Sequence, residues 1–379
     1  MRAPAILILA ALLPVGAHAT RLVTVNQIQQ FLTASHGESD AKLAEQISSL
    51  EVVERVDTPT LGRWQAAAPG DHTREALLLL ADSSSFLPLP PSRIVDEPPP
   101  DAAGLQQIVV RTIDYLGKVL HNLPNFTAVR DVTQFEDSPV RHEIDNAQSP
   151  DARLHVHSLD SEQLAVEKPW WMPLYVSGRR QMRVSYRDGR EVQVSLAKND
   201  LDAGLRSSGE FGPVLAVVIG DAFRHTLAWD HWVRSAAGPL ATFRYSVPAG
   251  ASHYVVEYPS DAGVKRFLPP YHGEIAIDPA TGTILRLTLI ADIPPPYQAI
   301  QAALVVEYGP VVLGERTYIC PVRSVSLTRE PLAGESEAIA PTLRTFLNDV
   351  SFTNYHLFRG DARILGSAHP DDGQPPQPH

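Results

Sequence analysis

Short runs of alternating apolar and polar residues, separated by turn residues, dominate the chain from about residue 125 onward. Two of these runs flank Asp188-Gly189, a dipeptide typical of a two-residue hairpin turn, and two more flank residues 279–282. Because the alternation has a period of two, each run predicts a strand with one buried face. Tight turns join neighbouring antiparallel strands, so this pattern predicts a large antiparallel sheet within residues 125–365.

The same alternation continues toward the C-terminus. It predicts further strands at 304–308, 311–313, 316–320, 322–327 and 346–358. Gly309-Pro310 and Gly314-Glu315 are the expected corners, since proline removes a backbone donor and glycine weakens a strand. A single apolar run at 214–219, which follows Gly212-Pro213, predicts a helix that covers the curved sheet.

Residues 20–84 show helical spacing instead, with apolar side chains three and four positions apart. Thr24 and Gln27 form a capping-box pattern at the start of the first helix, and Thr58-Pro59 predicts an N-cap followed by a proline in the first turn. Pro69-Gly70-Asp71 is expected to end one helix and begin another. No heptad persists, so the pattern predicts an array of short helices, not a coiled coil.

Prolines interrupt the next stretch, residues 85–103, which is therefore expected to be an extended linker. Beyond it, residues 104–124 predict one longer connecting helix with an apolar stripe, which Leu123-Pro124 ends. The fold class that follows is α+β: an N-terminal region of short helices, then a curved, mostly antiparallel sheet or half-barrel with a covering helix. The proline-rich residues 366–379 are expected to be a disordered tail.

The first 19 residues have the composition of a signal peptide. Met1-Arg2 is a short basic start, residues 5–15 are almost continuously apolar, and Ala17-His18-Ala19 is a small-x-small cleavage pattern. We expect cleavage near Ala19 and a mature protein that is secreted or periplasmic. The apolar run is too short to span a bilayer, and no later stretch is long enough, so no transmembrane segment is expected.

Charge and cysteine content exclude several kinds of partner and site. The formal net charge of -11 argues against nucleic acid or an anionic membrane held by bulk electrostatics. One cysteine, Cys320, excludes an intrachain disulfide and multi-cysteine metal sites. The chain has no G-x-G-x-x-G or P-loop string, so we expect no cofactor.

The strand-rich region resembles the half-barrel of the periplasmic lipoprotein carriers LolA and LolB. The resemblance is architectural, covers roughly residues 125–360, and rests on the hairpin at residues 275–286 and on Tyr308-Gly309-Pro310-Val311. It implies an apolar concavity that shields acyl chains from water, hence a lipid or lipoprotein acyl chain as partner. These carriers lack an N-terminal helical region of this kind, and for that region we expect a protein partner.

If the resemblance holds, the apolar faces of the central strands line the cavity. The candidate ligand-binding residues are Val255, Ile275, Ile277, Leu287, Leu289, Val306, Phe352 and Phe358. The alternative is that these side chains fill an ordinary core, because alternation identifies a buried face without revealing a cavity. The two resulting hypotheses are a non-enzymatic carrier of an amphiphile and an envelope scaffold protein with a filled sheet and no ligand.

Two groups of ionisable residues have spacings that could support metal binding or catalysis. His155 and His157 would share a strand face and could supply two metal ligands, but no third ligand is recognisable, so no metal site is expected. Asp230-His231 could act as an acid-base pair in a hydrolase. A structural histidine between Trp229 and Trp232 is the more ordinary interpretation, and no catalytic residue is predicted.

Overall fold

The structure, a computed structural model, describes residues 21–137, 174–187, 190–194, 213–260, 263–293, 301–331 and 343–358. Within these ranges it contains six α-helices and fifteen strands. The expected fold class is confirmed: short N-terminal helices precede a large, open antiparallel sheet with covering helices. The signal-peptide residues, His155, His157 and the C-terminal tail lie outside the described residues.

Four short helices form the N-terminal region and two more pack on the sheet. Their bounds are α1 Val25–Ala34, α2 Asp40–Ser48, α3 Thr58–Ala67, α4 Asp71–Ser83, α5 Ala102–Asn122 and α6 Pro213–Ala222. The capping box of Thr24 and Gln27 is confirmed. Thr58 is not the N-cap of α3: the side chain of Asp57 accepts from the Thr60 backbone N–H at 2.8 Å, so the helix starts one residue earlier than predicted.

The strands fall into three sheets. Their bounds are β1 Arg21–Val23, β2 Leu50–Val52, β3 Ile94–Val95, β4 Phe126–Glu136, β5 Tyr175–Arg187, β6 Arg190–Val194, β7 Thr226–Ser235, β8 Gly238–Val247, β9 Val256–Ser260, β10 Gly263–Phe267, β11 Tyr271–Ile277, β12 Ile284–Ala291, β13 Gln301–Leu313, β14 Arg316–Pro331 and β15 Leu343–Leu357. β1 and β2 form a small parallel pair, and β9 and β10 an antiparallel hairpin.

The other eleven strands form one antiparallel sheet in the order β3-β7-β8-β11-β12-β13-β14-β15-β4-β5-β6. The hairpins predicted around Asp188-Gly189 and residues 279–282 are β5–β6 and β11–β12. β3 lies within the stretch expected to be a linker and pairs with β7.

Gly309-Pro310 is not a corner, contrary to the prediction. β13 runs straight through both residues and pairs with β14 on each side of them, after a register shift at Glu307/Tyr308. The pairing of β12 with β13 includes residues 303–307 of β13 and ends before Pro310. At Pro310, β14 is the neighbour with which β13 pairs among the described residues. Proline has no backbone N–H to donate, and it is tolerated at this position for the same reason as on an edge strand. Gly314-Glu315 is a corner, as predicted.

Helices cover both faces of the large sheet. We call the face against α5 and α6 the inner face: Ile108 and Leu116 of α5 and Leu215, Val218 and Ile219 of α6 pack there on β8, β11, β12 and β13. The opposite, outer face packs against the end of α4 and the residues after it, through Leu78, Leu79 and Phe86. A separate core, with Leu43, Ile47, Trp64 and Leu77 among its members, holds the four short helices together.

No described helix is long and apolar enough to cross a membrane.

Candidate functional site

Along one row of the inner face, side chains change from apolar to polar from strand to strand. In an antiparallel sheet, directly paired residues share a face, so the register defines rows that run from strand to strand. One row is Leu289, Leu304, Ser326, Asn348 and Gln134, from β12 to β4. All five residues are buried. The inner face is therefore apolar beneath α5 and α6, and mixed on β14, β15 and β4, where this row is polar and others carry apolar residues such as Val350 and Phe352. We call these parts the apolar half and the polar half.

The structure brings together five of the eight residues predicted to line a cavity. Ile275, Ile277, Leu287, Leu289 and Val306 belong to one cluster on the apolar half, and each is at most 1% exposed. They contact one another and the apolar sides of α5 and α6 in a packed core. A ligand would reach these side chains after one of the two helices had moved.

The other three predicted residues lie elsewhere. Phe352 is buried on the inner face in a separate cluster that includes Phe126 and Val350. Phe358 is 37% exposed, and the guanidinium of Arg187 lies 3.9 Å from the centroid of its ring. Val255 is half-buried just before β9.

The polar half of the inner face includes charged residues that sequence reasoning missed. Arg130 of β4 lies 3.9 Å from the carboxylate of Glu191, and both side chains are almost fully buried. Glu136 accepts a hydrogen bond from the Tyr175 hydroxyl at 3.1 Å, and Arg344 lies 3.7 Å from the same carboxylate group. Buried charges are tolerated in proteins when they are paired. These ion pairs therefore allow charged side chains to be buried on the inner face.

Asp221 fixes the end of α6 to the sheet. Its carboxylate accepts from the Tyr271 hydroxyl at 2.7 Å and from the His253 backbone N–H at 3.0 Å, and it lies 2.7 Å from His253 Nδ1. Burial by itself would raise the pKa of Asp221, but these hydrogen bonds outweigh it and hold the pKa below its ordinary value. The carboxylate is therefore ionised at neutral pH and anchors the helix.

Helix α5 has a different anchor, at the β11–β12 turn. The Arg111 guanidinium donates to the Pro279 carbonyl at 2.8 Å. Gly282 in the same turn has φ +76, and a Cβ there would lie 2.3 Å from the Arg111 carbonyl carbon. Glycine is required at this position because it adopts that backbone conformation and allows the helix backbone to approach.

A charged layer separates the N-terminal helices from the outer face. Arg323 on β14 donates to Asp82 of α4, and its Nε donates to Asp349 of β15 at 2.7 Å. Burial raises the pKa of Asp82 well above its ordinary value, although the Arg323 charge opposes this. Arg286 donates to the Ser85 carbonyl at 2.8 Å, and burial together with the nearby Arg55 charge lowers its pKa to about 9. Arg286 therefore keeps its charge at neutral pH.

Asp230 and His231 are in contact, as acid-base chemistry would require. Asp230 Oδ2 lies 2.9 Å from His231 Nδ1, and Asp230 also accepts from Arg244. The other imidazole nitrogen, Nε2, is buried and has no hydrogen-bond partner among the described residues. A general base needs that nitrogen within reach of a substrate proton. The pair can orient an imidazole, but in this arrangement Nε2 does not face solvent.

Cys320 is buried on the inner face, and burial raises its pKa to about 12, so the thiol is protonated and poorly nucleophilic at neutral pH. Within the described ranges, no three histidine, cysteine or acidic side chains cluster in a way that could hold a metal ion.

No family model matches the chain, and no curated protein or solved structure matches it significantly.

Proposed function

We propose that this protein binds an amphiphile, such as a lipid with an acyl chain, on the inner face of its curved sheet and performs no reaction on it. The supporting observation is the buried row Leu289, Leu304, Ser326, Asn348 and Gln134, which passes from apolar to polar side chains. An acyl chain matches the apolar end of this row, and a polar headgroup matches the other end. The same proposal places the protein in the cell envelope, after signal-peptide cleavage near Ala19.

Binding of an acyl chain requires it to replace a helix on the apolar half. Three α6 side chains, Leu215, Val218 and Ile219, are buried there. At roughly 1.5–3 kcal/mol for each buried side chain, their contacts are worth about 5–9 kcal/mol. A dozen methylenes at about 0.8 kcal/mol each would supply on the order of 10 kcal/mol. The two amounts are close before the Asp221 anchor is counted, so exchange between helix and ligand is reversible if α6 moves while its hydrogen bonds to Tyr271 and His253 stay in place.

The resemblance to LolA and LolB supports the same proposal. Those carriers shield acyl chains with a curved antiparallel sheet and an inner helix, and here α5 and α6 lie on the inner face of an open sheet, although α4 covers the outer face as well.

A photoactivatable fatty acid tests where the ligand binds. Mature protein purified without detergent is first analysed by native mass spectrometry for co-purified lipid, and is then crosslinked to the probe. We expect labelled peptides from β11, β12, β13 or α6. Labelling confined to the outer face or to the N-terminal helices, with no bound lipid, would contradict inner-face binding.

A matched pair of substitutions separates ligand binding from stability. Leu289→Ala removes side-chain volume from the inner face, and Leu327→Ala removes the same volume from the outer face of the same sheet. Each is expected to cost about 2–5 kcal/mol of unfolding free energy. Only Leu289→Ala should change the affinity for a fluorescent fatty acid, by severalfold. Equal effects of the two would show that the probe does not occupy the inner face.

The alternative function is an envelope scaffold without a ligand. The observation that favours it is the near-complete burial of the five clustered residues beneath α5 and α6. Leu22 in β1 and Val53 directly after β2 are 62% and 44% exposed, and they would then belong to a partner-binding surface of the helical region. A protein with no co-purified lipid and no affinity for the probe supports this alternative.

A further inference from the structure

A pocket of about 420 Å³ lies at the end of β4 where β15 is irregular. Its lining residues are Thr127, Ala128, Val129, Arg183, Asn354 and His356. Thr127 and Val129 alternate along β4 with the residues of the inner face, so the pocket belongs to the outer face. It is at the opposite end of β4 from Phe135, which packs under α4.

A β-bulge shapes this pocket. The pairing of β15 with β4 shifts by one residue between Thr353 and His356. Asn354, inside the bulge, has φ 50, a left-handed conformation that asparagine tolerates better than most residues. A bulge leaves one residue unpaired and redirects the side chains around it. Here Asn354 and His356 are brought to the same pocket as Arg183, which lies on β5.

The pocket carries positive charge that is not neutralised within the described chain. Arg183 is exposed, and none of the described residues forms a hydrogen bond or ion pair with its guanidinium. Arg187 lies four residues further along the same face of β5. Asp131, the next residue on this face of β4 after Val129, accepts a hydrogen bond from Gln181 at 2.6 Å. Among the described residues, nothing occupies the guanidinium of Arg183, and it is free to contact an anion there.

We infer that this pocket binds a phosphate group. The Arg183 guanidinium offers a planar fork that suits phosphate oxygens, and His356, Thr127 and Asn354 add an imidazole, a hydroxyl and an amide as further donors. A phosphate with a small substituent fits a pocket of this size. This site is on the opposite face from the proposed amphiphile site and does not depend on it. The phosphate belongs either to a free phosphorylated compound or to a lipid headgroup.

Calorimetric titration of the mature protein with inorganic phosphate tests the pocket. Three variants are compared with the wild type: Arg183→Gln, His356→Gln and, as a matched control, Arg234→Gln, which changes an exposed strand arginine outside the pocket. We expect saturable binding that Arg183→Gln weakens about tenfold or more, that His356→Gln weakens less, and that Arg234→Gln leaves unchanged. All three positions are exposed, and equal melting temperatures verify that the variants are folded.

Sedimentation with vesicles distinguishes the two sources of phosphate. Vesicles of phosphatidylcholine with and without phosphatidylglycerol are mixed with wild type and Arg183→Gln. If the wild type sediments with phosphatidylglycerol, and both Arg183→Gln and added phosphate abolish this, the source is a lipid headgroup. Binding of inorganic phosphate without vesicle binding indicates a free phosphorylated compound. The inference is overturned if the wild type shows no saturable phosphate binding, or if Arg183→Gln and Arg234→Gln bind phosphate equally.

Discussion

Replacing Arg323 with methionine should weaken the attachment of the N-terminal helices to the sheet, and should lower the unfolding free energy more than any substitution of an exposed residue. Arg323 pairs with Asp82, which is 0% exposed, and with Asp349, which is also buried. Burial alone would lower the pKa of Arg323, but the two carboxylates raise it above its ordinary value. Arg323→Met leaves both carboxylates buried without their cation. Removal of one partner from a buried ion pair costs about 3–5 kcal/mol, and we expect a loss in that range at neutral pH.

The loss should shrink as the pH falls. The pKa of Asp82 is raised in the folded protein by burial, and Arg323 opposes that rise, so Arg323→Met raises it further. A carboxyl whose folded pKa exceeds its unfolded pKa takes up a proton on folding. In the pH window between the two values, stability therefore rises as pH falls, and the variant recovers part of its loss on acidification.

Urea denaturation at several pH values between 7.5 and 4.5 measures both effects. Arg234→Met is the matched control, since Arg234 is exposed on β7, and its unfolding free energy should change by less than about 0.5 kcal/mol. Adding Asp82→Asn to Arg323→Met should recover stability at neutral pH and flatten the pH dependence. The reasoning is wrong if Arg323→Met costs under about 1 kcal/mol, or if its cost grows toward low pH.

Three further predictions concern single residues. Gly282→Ala should lower the unfolding free energy by at least about 2 kcal/mol, because a Cβ at this position would clash with the Arg111 backbone. Gly62→Ala in α3 should instead raise the unfolding free energy by about 0.5–1 kcal/mol, because a Cβ there meets nothing within 4 Å. A denaturant titration in which both substitutions change the unfolding free energy in the same direction would contradict this account. Cys320, with its pKa raised to about 12 by burial, should react with a thiol reagent at neutral pH only as fast as the protein opens, and a burst of reaction in the folded protein would contradict its burial. Asp57→Ala should cost about 1–2 kcal/mol and lower the melting temperature, since Asp57 caps α3 and pairs with Arg93 at 2.6 Å; no change in melting would contradict the capping role.

Local features of the fold could be predicted from the sequence where adjacent residues determine them. The hairpins β5–β6 and β11–β12 follow from two alternating runs with a turn between them, and both are present. The prediction of a corner at Gly309-Pro310 is wrong, because the effect of a proline depends on whether a neighbouring strand would have accepted a hydrogen bond from an N–H at that position. The extent of the β12–β13 pairing answers that question, and it depends on residues far from Pro310 in the sequence.

Contacts between distant segments could not be predicted. Arg323 and Asp82 are 241 residues apart, and each looks like an ordinary surface charge in its own segment. The polar half of the inner face is a similar case. Ser324, Ser326 and Thr328 alternate with Val325 and Leu327, so the sequence indicates two different faces but not which of them is the inner one.

Strand β13 shows why the choice of face also decides where a ligand would enter. Residues 302–306 are all buried, because Ala303 and Val305 face α4 while Leu304 and Val306 face α5 and α6. Both faces are apolar here, so burial alone does not favour either as a binding surface. The helices on the two faces are held differently. On the outer face, the buried ion pairs of Arg323 with Asp82 and Asp349 connect α4 to the sheet, and their disruption costs several kcal/mol. On the inner face, α5 and α6 are each held by apolar contacts and by hydrogen bonds at one place, those of Arg111 and Asp221. An acyl chain can replace apolar contacts but not a buried ion pair, and it would therefore displace the inner helices before the outer ones.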